Sequence, residues 1–195
     1  RRRQRQMCIR DSLGIEDDIN AALSRKVWLK SGAYLVIDQT EALVSIDVNT
    51  GKNVGKASLR KTIAETNCEA AVEIARQLRL RDLSGIIIID FIDMEEKEDK
   101  ETVLATLREA LRGDRMRSVI LGMTELGFVE LTRKKLRANL ADTLQTTCPY
   151  CKGSGKVLNA ETVALKIRSA LIARVSERAG AQQRFTVAAS PTVAA

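Results

Sequence analysis

The run Ser84-Gly85-Ile86-Ile87-Ile88-Ile89-Asp90-Phe91-Ile92-Asp93 sets the tightest limit on what this chain can fold into. Isoleucine is stiff at χ1, which disfavours a helix and suits a pleated surface, so four in a row predict a strand. No polar residue interrupts the four, and a strand without alternation is expected to be buried on both faces. Its aspartates then fall at the carboxyl end, where α/β sheets hold their reactive groups.

Two more β-branched runs, AYLVID (33–38) and ALVSIDVN (42–49), are separated by Gln39-Thr40-Glu41 and predict a hairpin. Alternation in the second run puts Val44, Ile46 and Val48 on one face and Ser45, Asp47 and Asn49 on the other. Ser58 is placed to cap a helix running to about Arg81, with Ile63, Asn67, Ala70, Ile74 and Leu78 at helical spacing beside a stripe of Ala64, Cys68, Ala71 and Ala75. A short helix over 14–26, a helix over 97–112, a strand over 117–123 and the run 127–135 complete a mixed α/β sheet flanked by helices.

The glycine-rich Cys151-Lys152-Gly153-Ser154-Gly155-Lys156 then breaks the pattern and predicts a domain boundary. Beyond it, the apolar spacing from Val163 to Val175 predicts a helix. The segment 184–195 reads as a strand followed by Ser190 as N-cap and Pro191 at the first helical position. A helix that begins so clearly and stops within a few residues leads us to expect a C-terminally truncated piece.

The 195 residues, 45% of them hydrophobic, can bury a core. Lys plus Arg outnumber Asp plus Glu by 32 to 25, a net charge of +7 that suits a polyanionic partner. Arginines gather at 76–81, 112–117 and 133–137, and although any one such run is ordinarily a solvated helix face, together they favour nucleic acid. Aromatic residues make up 3%, so contacts to phosphate are expected rather than stacking platforms. No run of about 18 apolar residues predicts a membrane span. Four cysteines with one close pair do not form an extracellular disulfide framework, and a reducing cytoplasm is expected.

Asp47 and Asp90 both sit near strand carboxyl ends, and Asn49 shares the face of Asp47. Such a trio suits a magnesium ion held by one or two carboxylates, with water and substrate phosphate completing its shell. The chain has no histidine, which removes the commonest general base and favours metal-assisted hydrolysis over nucleophile–histidine chemistry. Asp93 is expected on the face opposite Asp90. Cys148-Pro149-Tyr150-Cys151 has the spacing of a glutaredoxin-like redox centre and equally that of half a zinc site.

Taken together, EALVSIDVNTGK (41–52), NCEAAVEIARQLRLRDLSGIIIIDFIDM (67–94), ELTRKKLRANL (130–140) and CPYCKGSG (148–155) closely resemble the ribonuclease E/G family of bacterial endoribonucleases. The resemblance implies the end of a ribonuclease H-like subdomain over 14–24, a DNase I-like catalytic subdomain over 25–144, a zinc link over 145–157 and the start of a small dimerisation domain over 158–195. Residues 1–13 are expected to be a non-native or disordered segment. Asp47 and Asp90 match the family's magnesium-binding aspartates, Asn49 its supporting asparagine, Arg117 an arginine near the RNA, and Cys148 and Cys151 the zinc-link cysteines. The implied activity is cleavage of single-stranded RNA in RNA processing and decay, leaving a 5′-phosphate and a 3′-hydroxyl. The alternatives are a non-catalytic RNA-binding module and a thiol oxidoreductase. Ala33, Cys68 and Phe128 depart from the usual family residues and read as packing changes.

Glycines at 153 and 155 suit a zinc-knuckle turn better than the helix a redox cysteine needs. Cys68 reads as a packed residue and Cys8 lies in the doubtful leading segment. Two credible thiolates remain where a closed site needs four. Cys148 and Cys151 are therefore expected to meet the same pair of a second protomer, making zinc the staple of a homodimer, with a higher homo-oligomer left open.

Overall fold

The structure is a computed structural model that describes residues 14–51, 59–124, 126–177, 184–190 and 193. The chain divides into two compact units, residues 1–145 and 146–195. The expectations for residues 1–13, Ser58 and Pro191 lie outside the described residues.

In the first unit the order is α1 (Ile15–Leu23), β1 (Lys26–Trp28), β2 (Tyr34–Gln39), β3 (Leu43–Asn49), α2 (Leu59–Leu80), β4 (Gly85–Asp90), α3 (Lys97–Leu111), β5 (Ser118–Met123), β6 (Phe128–Arg133) and α4 (Leu140–Leu144). The strands form one mixed six-stranded sheet in the order β1-β2-β3-β4-β6-β5. Strands β3 and β4 pair in parallel, and the other neighbours are antiparallel. A parallel pair needs a crossover, and α2 supplies it.

One face of the sheet is core. Leu35, Ile46, Ile87, Ile89, Val129 and Leu131 are all at most 1% exposed, and they pack with Ile74 and Leu78 of α2 and Val103 and Leu107 of α3. The opposite face is open among the described residues. Ile86, expected to be buried, is 52% exposed, and Ile88 is half-buried. The expected strand forms, but it is buried on one face only. A homopolymeric isoleucine run hides the pleat, because a β-branched side chain fits either face whether or not helices cover both.

Polar groups pin the helices to the sheet. Glu69 of α2 accepts from the Lys30 amide at 2.7 Å and from Ser31, holding the β1–β2 turn. Arg133, 4% exposed, donates through Nε to Asp114 at 2.7 Å, through Nη2 to Asp114 at 3.1 Å, and through Nη1 to Asp82 at 3.1 Å and the Leu83 carbonyl at 2.8 Å. Arg137 adds a second ion pair to Asp82. Asn139 caps α4 by accepting from the Asp142 amide at 2.8 Å and donates to Gln39 at 3.0 Å.

In the second unit, a turn at Cys148–Ser154 leads to α5 (Ala160–Glu177). The strand expected over 184–190 is not formed; these residues have no regular secondary structure. An alternating sequence becomes a strand only beside a partner edge, and no strand of this unit is present among the described residues.

Candidate active site

Parallel pairing in register sets Asp47 of β3 directly beside Asp90 of β4. Both belong to the open face, since their strand neighbours Ile46 and Ile89 point into the core. The Asn49 Nδ2 donates to Asp47 Oδ2 at 2.8 Å, which orients that carboxylate. Partial desolvation raises the Asp90 pKa above the usual carboxylate value, and the negative charges of Asp47 and Asp93 push it further the same way. Asp93 therefore acts on Asp90 electrostatically, although it lies beyond the end of β4 in the exposed segment before α3.

Two devices fix this geometry. Asn67 of α2, fully buried, exchanges hydrogen bonds with both backbone groups of Ile92, so the chain leaving Asp90 is tied to the crossover helix. Gly51, at φ 65°, is pressed against the β1–β2 turn: a Cβ there would lie 2.2 Å from the Gly32 carbonyl oxygen. Only glycine satisfies both the left-handed backbone and that close approach.

The open face continues sideways from Asn49. Register places Tyr34 beside Asn49 and Trp28 beside Tyr34. The two rings lie 5.2 Å apart, tilted by 60°, with the Lys26 ammonium 4.0 Å from the Trp28 centroid and 3.4 Å from that of Tyr34. Lys26, Trp28, Gly32, Tyr34, Asn49, Thr50 and Gly51 line one open cavity of about 670 Å³.

Arg117 is not part of this cluster. It immediately precedes β5, whose Ser118 is level with Arg133 and hence with Gly85, at the far end of β4 from Asp90. Strand rise and spacing put it roughly 20 Å from the carboxylates. Its side chain is exposed there.

In the second unit the Cys148 thiol is pulled below its usual pKa by hydrogen bonds from the Cys151 and Tyr150 amides and from the Cys151 side chain. Lys152 and Gly153 adopt positive φ, 51° and 88°, and the Lys152 amide returns to the Cys148 carbonyl at 2.8 Å. This is a knuckle, with amides directed at sulfur, and no helix begins at Cys148. Cys68 is packed against the core and accepts from the Thr106 hydroxyl at 3.7 Å.

As to metals, no group of three or more His, Cys, Asp or Glu side chains converges among the described residues. The donors that do converge are two carboxylates with mutually unfavourable charge and one amide. Such a sparse oxygen set fits a hard divalent ion that retains most of its water. The paired thiolates fit half of a tetrahedral zinc site.

Residues 1–136 match the family model described as Ribonuclease E/G family. The chain is 49% identical over 184 residues to Ribonuclease G of Escherichia coli K12, covering 94% of this chain and 37% of that protein. The chain belongs to the ribonuclease E/G family. Ribonuclease E of Nostoc is 51% identical over 137 residues, 70% of this chain and 20% of the relative; that of Haemophilus influenzae is 43% identical over 153 residues, 78% and 16%. The chain thus spans a little over a third of the length of the ribonuclease G it matches. Within the ribonuclease E/G segment, the structure brings together Asp47, Asn49 and Asp90, which the sequence singles out, and sets beside them Trp28, Tyr34 and Lys26, which it does not. The signal was present in the alternation of Lys26 and Trp28, yet β1 is only three residues long.

Proposed function

We propose that this chain carries the catalytic centre of a magnesium-dependent endoribonuclease acting on single-stranded RNA in RNA processing and decay. The observation that carries the reading is the side-by-side placement of Asp47 and Asp90 on an open, cation-flanked sheet face, in a chain of the ribonuclease E/G family. Asp47 and Asp90 are the residues to hold magnesium. Asn49 keeps the Asp47 carboxylate turned by its hydrogen bond, and Asn67 fixes the backbone that follows Asp90. When bound, the ion supplies charge stabilisation at the phosphodiester and a water of lowered pKa as nucleophile. Arg117 is assigned to a more distant stretch of RNA backbone. The knuckle of Cys148 and Cys151 is assigned half of a zinc site shared by two protomers, which makes the working form a homodimer. No described helix is long and apolar enough to cross a membrane, and cytoplasmic RNA is the substrate this reading requires.

The test is cleavage of labelled single-stranded RNA with Mg²⁺ by the chain and by its Asp47→Asn and Asp90→Asn variants. Each substitution should abolish cleavage while the folded spectrum is kept. Undiminished cleavage by both variants removes the assignment. RNA that the unsubstituted chain shifts but leaves uncut favours a binding module.

A further inference from the structure

We propose that Trp28, Tyr34 and Lys26 form a nucleobase-stacking subsite that holds single-stranded RNA beside the carboxylates; this rests on the nuclease reading above.

The indole of Trp28 is 64% exposed although the chain has one tryptophan and abundant core to receive it. An exposed large aromatic is informative when it is organised, and this one is. It stands in the same cross-strand row as Tyr34 and Asn49, so the ring, the second ring and the amide that orients Asp47 lie in line across three strands. Strand spacing puts Trp28 about 10 Å from Asn49, within a dinucleotide's reach. The Lys26 ammonium sits between the tilted rings and presents positive charge beside the flat surface.

That combination matches one ligand chemistry. A flat aromatic base stacks on the outer indole face, and its adjoining phosphate is met by Lys26, which can leave the ring faces without any backbone change. The shared cavity of about 670 Å³ runs from the rings to Asn49 and falls in the size range of small-molecule sites, about 300–1,000 Å³. Every base has a π face, so the subsite is tolerant of sequence. Its task is to anchor the strand near Asp47 and Asp90, in addition to whatever phosphate contacts the arginines make.

Because Trp28 is the only tryptophan in the chain, it reports its own occupancy. Titration with an oligoribonucleotide in EDTA should quench the intrinsic fluorescence, whereas an abasic ribose-phosphate oligomer should not. By anisotropy of labelled RNA, Trp28→Ala should weaken binding roughly five-fold or more, the effect of losing one stacked base. Trp28→Phe should recover most of that loss. Lys26→Gln should lower the slope of log affinity against log salt by about one. In cleavage assays Trp28→Ala should raise KM and leave kcat nearly unchanged, the mark of uniform binding. Unchanged fluorescence at saturating RNA, or equal affinity of Trp28→Ala and the parent, overturns the subsite. If Asp90-dependent cleavage persists in that same preparation, the nuclease reading stands without it. A chain that neither binds nor cuts RNA overturns both.

Discussion

Asn67 holds Ile92 in both directions, its Nδ2 donating to the Ile92 carbonyl at 2.8 Å and its Oδ1 accepting from the Ile92 amide at 3.1 Å. An asparagine side chain is matched here to the two backbone groups of one residue, inside the core. Asn67→Ala strands both groups and should cost about 1–3 kcal/mol. It should also reduce cleavage more than the loss of stability explains, because the segment after Asp90 loses its tether. A thermal midpoint equal to the parent's would show that Ile92 finds other partners.

The Arg133 cluster should make the fold acid-sensitive. Burial pushes Asp82 and Asp114 upward, but hydrogen bonds from Arg137 and Arg133 to Asp82, and from Arg133 to Asp114, outweigh it and hold both below the usual carboxylate range. A depressed folded pKa contributes stability that is complete above the unfolded value, about pH 4, and is lost as pH falls through the folded value. Denaturant midpoints should therefore drop below about pH 4, and Asp114→Asn should flatten the drop. Arg133→Ala, which leaves the buried Asp114 carboxylate without its ion-pair partner, should cost about 3–5 kcal/mol.

Asp90 works in the opposite sense. Its raised pKa means that ionising it disfavours the fold, so Asp90→Asn should raise the melting temperature slightly at neutral pH without divalent ions. The same variant should be catalytically dead. Added magnesium should stabilise the parent more than this variant. A variant that melts lower than the parent would mean that the carboxylate has a structural partner.

Gly51→Ala is a backbone test. With φ at 65° and a Cβ 2.2 Å from the Gly32 oxygen, the substitution must displace either the β1–β2 turn or the chain leaving Asn49. A loss of about 1–3 kcal/mol is expected from strain and crowding. The cheaper displacement decides the phenotype: movement of the Asn49 side lowers cleavage as well as stability, which parallel melting and activity assays resolve.

For the second unit, metal analysis of the purified chain should give about one zinc for every two chains. Cys148→Ala should shift the sedimentation profile from dimer toward monomer. A zinc-free preparation that forms a reversible Cys148–Cys151 disulfide would return the motif to redox chemistry.

Much of the first unit is legible because its signals are local. Alternation in 42–49 fixed which face bears Asp47 and Asn49, and helical spacing marked Asn67, Ala70, Ile74 and Leu78 as the inner face of α2. Other features depend on partners that a single segment does not announce. The open side of β4 is hidden because four isoleucines carry no alternation, and residues 184–190 have a strand pattern without a neighbouring edge among the described residues. The low aromatic content does not say where the few aromatic residues meet: Trp28 and Tyr34 come together through a turn whose register only the folded sheet reveals. Arg117 could be named from a motif, but its separation from Asp90 is set by the order in which β5 and β6 join the sheet.

The single parallel pairing among the described strands, β3 with β4, has a consequence for when activity can arise. Were these two strands joined by a hairpin, their carboxyl ends would lie at opposite edges and Asp47 would never meet Asp90. Joined through α2, the two ends coincide, but only once the whole helix has docked and a long loop has been closed, among the slower events available to a chain. Partly folded forms can hold native helices and the β2–β3 hairpin and still possess no carboxylate pair. Under the proposed nuclease reading this is a safeguard at birth, because the carboxylate pair comes into being only when β3 and β4 have paired through the docked helix.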